Sequence, residues 1–303
     1  MSRHARLFTK NFVSSRRVEI AFMRSDSSQH HMHIIERGHG TPLVLIPGIQ
    51  GRWEYMRPAV EALAPFFRVI TFPLCGEPSS KLATDPALGL DSYVAQTLAA
   101  LDAKQIERAV ICGVSFGGLV ALRFAAAHPE RTAALVLAST PAPLFRLRAR
   151  HAVYARVPWI FGPLFLAETP WRVKRETAAA FPDPRARLAF ARAALRTLVE
   201  APVSVSRMAQ RARLLSNLDL RRDCGSVTAA TLVVTGERHL DFVVPVEGSS
   251  EYARLIPNAQ AVVLERTGHL GTITRPDVFA ALVCAFVDEV RRRTDAADTS
   301  WVA

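Results

Sequence analysis

Ser115 stands in GVSFGG (113–118), with Gly113 two residues before it and Gly117 two residues after. The apolar run AVICGV (109–114) leads straight into the serine, and FGGLVALRFAAAHP (116–129) follows at once with helical character. A strand that enters a helix without a loop must turn sharply at the residue between them. Glycines on either side remove the Cβ atoms that would collide where the two backbones close. Such a turn lifts the hydroxyl above the carboxyl end of the strand. It also sets it beside free N–H groups at the helix start, which stabilise a developing oxyanion. The pattern is G-x-S-x-G, and the chemistry it suits is nucleophilic attack on a carbonyl. A tight strand-to-helix turn with an N-capping serine is the plainer reading of the same residues.

A serine attacks only if a base takes its proton, and the base needs a carboxylate to orient it. Of the nine histidines, His269 is best placed, in RTGHLGTI between the apolar run AQAVVLE (259–265) and the last predicted helix. His128 precedes Pro129 and reads as a helix end. His30, His31 and His33 lack a companion Cys or carboxylate at ligand spacing, so no metal site is read there. The acid should follow ATLVVTG (230–236), where GERHLDFVVP offers Glu237 and Asp241. Glu237 abuts the strand end; Asp241 lies further out and is favoured, with Glu237 as the alternative. The resulting chain order is Ser115, Asp241, His269.

The elements that must carry these residues alternate. LVLI (43–46), RVITF (68–72), AVICGV, AALVLAS (133–139), ATLVVTG and AQAVVLE read as buried strands. Between them fall helices over 58–67, over 92–103 with Asp91 as N-cap, and over 116–129; a last helix spans 276–293. The order implies an α/β fold: a mostly parallel sheet with helices on both faces. VEIAFMR (18–24) and HMHIIE (31–36) read as a hairpin before it. The rhythm breaks at Pro141, and residues 141–225 are Pro-punctuated, basic and helical in pattern, an inserted cap. The organisation is then a basic arm (1–17), a core (18–140 and 226–293), the cap (141–225) and a frayed tail (294–303).

Composition sets the bounds. The chain has 303 residues, 50% of them hydrophobic, enough for one large core with an insertion. No apolar run approaches the roughly 20 residues of a membrane-spanning helix, and no apolar block precedes a cleavage site near the N-terminus. Cys75, Cys112, Cys224 and Cys284 form no CxxC pair and read as reduced, mostly buried thiols. Together these features suggest a cytoplasmic protein. The net charge of +11 is concentrated in two segments. Residues 1–17 hold five basic residues and no acid; residues 141–225 hold fifteen Arg and one Lys against six acids. Such a pattern suits an acidic ligand, an anionic membrane surface or nucleic acid. No nucleic-acid motif accompanies it, so nucleic acid is not expected as a partner. Membrane-surface contact through the basic cap ranks below a small-molecule substrate.

LVLIPG with the GIQG loop after it, GVSFGG, HPERTAALVL, TGERHLDFVVP and TGHLGTITRPDVF together resemble the α/β-hydrolase superfamily over nearly the whole chain. The resemblance implies a cofactor-free esterase- or lactonase-like serine hydrolase with Ser115, His269 and Asp241 as its triad. It also implies oxyanion donors at the backbone N–H groups of Phe116 and Ile49, with Gln50 a further candidate. Caps in this family set the substrate. Trp159, Phe161 and Phe165, in the apolar run VPWIFGPLFL (157–166), and Gln50 are the candidate substrate-lining residues, with cap core as the equal alternative for the aromatic three. Three features depart from the pattern. Pro47-Gly48 stands for the usual His-Gly, FPLCGEPSS replaces Asp-x-x-Gly-x-Gly, and the acid loop is longer than common. A ligand-binding protein with little turnover is the alternative function.

Overall fold

The six runs read as buried strands, together with the end of HMHIIE, form one seven-stranded sheet. The strands are β1 (Ile35–Arg37), β2 (Thr41–Ile46), β3 (Phe67–Thr71), β4 (Ala109–Val114), β5 (Thr132–Ala138), β6 (Thr231–Thr235) and β7 (Ala259–Val263). The computed structural model describes residues 32–299. The basic segment 1–17, the predicted strand 18–24 and residues 300–303 lie outside them. The strand order is β1-β3-β2-β4-β5-β6-β7; β1 runs antiparallel to β3, and every other pairing is parallel.

Thirteen α-helices follow in chain order among the described residues. Three precede β5: α1 (Arg57–Leu63), α2 (Asp91–Ala103) and α3 (Phe116–Ala127). Six lie between β5 and β6: α4 (Ala149–Arg156), α5 (Pro158–Ala167), α6 (Thr169–Ala180), α7 (Pro184–Glu200), α8 (Val205–Leu215) and α9 (Arg221–Ser226). The rest are α10 (Val246–Ser250), α11 (Tyr252–Leu255), α12 (Gly271–Thr274) and α13 (Pro276–Thr299). Helix α13 runs past residue 293, where the apolar pattern ends. Asp91 opens α2 instead of capping it; Leu90 holds the N-cap position, and the Asp91 carboxylate takes the Arg123 guanidinium of α3 at 2.9 Å.

Strand side chains alternate between two buried layers, as a period of two requires. Val44, Ile46 and Ile111 pack with α2 and α3, whereas Leu43, Leu45 and Val110 pack with α1 and α13. Burial on both faces is why these strands read as unbroken apolar runs. All four cysteines are unpaired, and burial pushes Cys75 and Cys224 up to about 12, which keeps those thiols protonated.

The tightest packing lies where β4 turns into α3. A Cβ on Gly113 would sit 2.2 Å from the Gly117 carbonyl oxygen, and one on Gly117 would sit 2.2 Å from the Ile46 carbonyl oxygen. Helix α3 thus starts pressed against the ends of β2 and β4, with no side chain between. Gly117→Ala is expected to cost about 3 kcal/mol in chemical denaturation, because backbone must move. Gly225→Ala, which meets open space, should be neutral or slightly stabilising. Equal effects would mean that the turn is not held by close backbone approach.

Candidate active site

The close approach of α3 leaves Ser115 in an unusual backbone state, φ 55° and ψ −118°. A residue with a Cβ adopts it only when its surroundings enforce it. Here the Ser115 N–H donates to the Ala138 carbonyl (2.8 Å), and the Ser115 carbonyl accepts from Gly118 N–H (2.9 Å). The hydroxyl is thereby presented to His269, whose Nε2 lies 3.1 Å from Oγ. On the far side of the ring, Nδ1 lies 3.4 Å from Oδ2 of Asp241. Three segments distant in sequence thus meet in one line at the carboxyl edge of β4, β6 and β7.

Asp241 is fixed by its own loop. Its Oδ1 accepts the N–H groups of Val243 (2.9 Å) and Val244 (2.8 Å), leaving Oδ2 for the ring. Burial pushes its carboxyl pKa up, but His269 and the two N–H groups outweigh burial, so the net shift is downward. The residue stays an anion, as an orienting acid must. Glu237, the alternative acid, is engaged elsewhere: its Oε1 accepts the Arg266 N–H at 2.6 Å, and Oε2 faces His239.

The loop after β2 forms a tight turn, closed by the Gly51 N–H on the Gly48 carbonyl at 2.9 Å, with Ile49 and Gln50 at its centre. A Cβ on Gly48 would lie 3.2 Å from Gln50 Oε1 and 3.6 Å from Ser115 Cβ, so this turn sits beside the serine. Phe116 is the first residue of α3, and its N–H has no acceptor within the helix. Its ring is buried edge-on against Tyr93. The aromatic run of the cap reads equally as substrate lining or as cap core. Trp159 is 74% exposed, so it lines no enclosed pocket. Phe161 stacks on Tyr154, and Phe165 meets His151 and Tyr154 edge-on, which makes both rings part of the packing of the inserted helices.

Two cap side chains that the sequence did not single out reach the loops of the site. Arg211 of α8 is only 2% exposed. Its Nη1 donates to the Ile49 carbonyl (3.0 Å), and its Nη2 donates to Oε1 of the buried Glu77 (2.7 Å). The guanidinium fills the space above Gly51, where a Cβ would lie 2.3 Å from Nη1; this explains a glycine there at φ +74°. Glu77 belongs to FPLCGEPSS, one of the departures noted in the sequence. Glu176 of α6 is also buried, and its carboxylate accepts N–H groups from Leu270 (2.7 Å) and Gly268, the two neighbours of His269. Among fifteen arginines and six acids, nothing local marks these two. The available signal was a lone acid within an unusual Pro- and Gly-bearing loop.

Glu176 generates a test. Burial raises its pKa to about 7, against the opposing pull of the two N–H groups and His269, while Asp241 adds to the rise. Its folded-state pKa lies above the ordinary 4.5. The folded state therefore holds this proton more tightly than the unfolded chain. That contribution is complete below pH 4.5 and is lost as pH rises through about 7. Stability of the wild type should fall across this window relative to Glu176→Gln, read as the difference in Tm at each pH. Parallel pH profiles for the two proteins would contradict the buried, raised carboxyl.

Comparison with known proteins identifies the fold. Residues 41–276 match the family model described as alpha/beta hydrolase fold. A pimeloyl-[acyl-carrier protein] methyl ester esterase of Xanthomonas campestris pv. campestris is 32% identical over 261 residues, covering 84% of this chain and 98% of that protein. A poly(3-hydroxyalkanoate) depolymerase of Ectopseudomonas oleovorans is 29% identical, covering 84% of this chain and 87% of that protein. The crystal structure of the enol-lactonase from Burkholderia xenovorans superposes with a TM-score of 0.70 at 25% identity, covering 85% of this chain and 96% of that one. With a sheet of the same kind and a family match across most of its length, the chain belongs to the α/β-hydrolase fold family.

Proposed function

We propose that the chain is a cofactor-free serine hydrolase that cleaves a carboxylic ester or lactone of a small, largely apolar substrate through an acyl-enzyme on Ser115. The observation that carries this reading is the 3.1 Å contact between Ser115 Oγ and His269 Nε2, made by a serine held at φ 55°. Attack by Oγ on the carbonyl carbon forms the new C–O bond as Nε2 takes the hydroxyl proton. Asp241 holds Nδ1–H and stabilises the imidazolium. The negative charge goes to the carbonyl oxygen, which the N–H groups of Phe116 and Ile49 receive. The tetrahedral intermediate collapses by breaking the bond to the leaving oxygen, which departs with the proton from Nε2. Water, deprotonated by the same nitrogen, then attacks the acyl carbon and releases the acid and Ser115.

The related proteins support the substrate class. The methyl ester esterase and the enol-lactonase are named for substrates with a carbonyl bonded to a single-bonded oxygen. That shared bond is what a serine nucleophile with oxyanion donors cleaves. A fluorophosphonate probe should label the wild type and not Ser115→Ala. Asp241→Asn should keep the fold and lower kcat by about 10⁴-fold, because the ring loses its correct tautomer. Esters of graded acyl length, tested beside simple lactones, then rank the substrates by kcat/KM. Failure of the probe to label folded wild type, with no turnover across that panel, would overturn the reading in favour of a ligand-binding protein.

A further inference from the structure

Helix α7 is 17 residues long and has no buried residue. Leu188, Leu195, Leu198 and Val199 recur at helical spacing and form one face. They are 50%, 62%, 41% and 75% exposed. About a quarter turn away, Arg185, Arg192 and Arg196 form a parallel row. No acid pairs with these three among the described residues; Glu200, the single acid of α7, faces Arg57 at 3.3 Å. The opposite face is the one that packs, through Phe190 on Phe181 with ring centroids 5.1 Å apart. An aliphatic stripe of this kind on a surface helix is normally covered. The same insertion exposes two tryptophans, Trp159 at 74% and Trp171 at 78%.

Charge decides among the possible covers. A second copy would bring one arginine-rich cap against another. The segment 1–17 is itself basic, with five cationic residues and no acid. Neither complements the arginine row of α7 in charge; an occupant that does is anionic and also offers an apolar interior. We propose that the cap docks on an anionic lipid surface, with the leucine stripe of α7 entering the acyl boundary and its arginine row at the headgroups. Long arginine stems suit that arrangement, because they cover apolar surface while the guanidinium stays at the polar level. Exposed tryptophans favour the same interface. None of the described helices is long and apolar enough to cross a membrane. The proposal concerns binding and does not rest on the chemistry assigned to Ser115.

The test uses the full chain. It should co-sediment with vesicles of equal parts phosphatidylcholine and phosphatidylglycerol, and on the order of tenfold less with phosphatidylcholine alone. Added salt should weaken this binding without abolishing it. Leu195→Gln with Val199→Gln leaves charge and helix propensity nearly unchanged. This pair should lower partitioning on the order of tenfold, with the far-UV circular dichroism of the wild type retained. Arg192→Gln with Arg196→Gln should reduce the preference for anionic vesicles. Three outcomes would overturn the proposal. The first is absent binding to the anionic vesicles, including the case in which an acidic protein binds instead. The second is vesicle binding undiminished by the glutamine pair at 195 and 199. The third is a wild-type dimer that this pair dissolves, which would assign the stripe to a second copy.

Discussion

The backbone contact between α3 and the ends of β2 and β4 is the constraint on which the site depends. Holding a serine at φ 55° costs about 1–3 kcal/mol, and the chain repays it through the packing around it. β4 must be central, so that β2 and β5 flank it and the Ala138 carbonyl is available to the Ser115 N–H. Positions 113 and 117 must lack side chains, so that α3 can begin immediately after the serine. The same contact puts the turn of Ile49 and Gln50 beside the hydroxyl, because β2 is the strand against which Gly117 lies. The presented serine, the Ile49–Gln50 turn beside it and the helix N-terminus are thus consequences of one packing event.

The strands were legible for the reason that makes them central. Strands β2 to β6 are covered on both faces, so their sequences are largely apolar runs, and the structure moves their ends by only a residue or two; β7, at the sheet edge, has only half-buried and exposed residues and was legible from its apolar run alone. The chain order of Ser115, Asp241 and His269 was legible because each follows an apolar run that forms a strand of the sheet. What did not show locally is where a side chain finds its partner. Asp91 looks like a cap beside a helix start, yet Arg123 from the next helix claims it. Trp159 sits in the most apolar run of the cap and faces outward, because Phe161 and Phe165 on the same helix take the inner positions. Arg211 is one arginine of many until Glu77, 134 residues away, is seen against it.

Arg211 and Glu176 also change what the cap is. Each carries an ionisable group into a buried position, which costs several kcal/mol unless partners repay it. The partners are not other cap residues. Arg211 donates from Nη1 to Ile49 and from Nη2 to Glu77, leaving Nε without a partner, and Glu176 accepts the N–H groups on either side of His269. The inserted helices are therefore fastened to the two loops that flank Ser115, one bearing Ile49 and one bearing His269. Removing either group would leave a buried partner unsatisfied in the loop it holds. The position of the inserted helices and the geometry around Ser115 are linked through these contacts, because a shift of α6 or α8 must move the loop it grips.

The same insertion shows opposite chemistry on its two sides. Inward, it presents charged groups to the loops of the site; outward, it presents leucines and tryptophans to solvent. A free-standing lid would be arranged the other way round, with apolar residues against the core and charges in water. The inversion has a physical consequence. Ionic contacts with fixed partners define one geometry for the docked cap, since a guanidinium fork and two N–H groups accept few alternatives. An exposed aliphatic face gains by transfer to any apolar surroundings and specifies no single geometry. The side of the cap that touches the site is built for position, and the side that meets its surroundings is built for partitioning. This division lets the environment of α7 change without disturbing the contacts that hold Ile49 and His269.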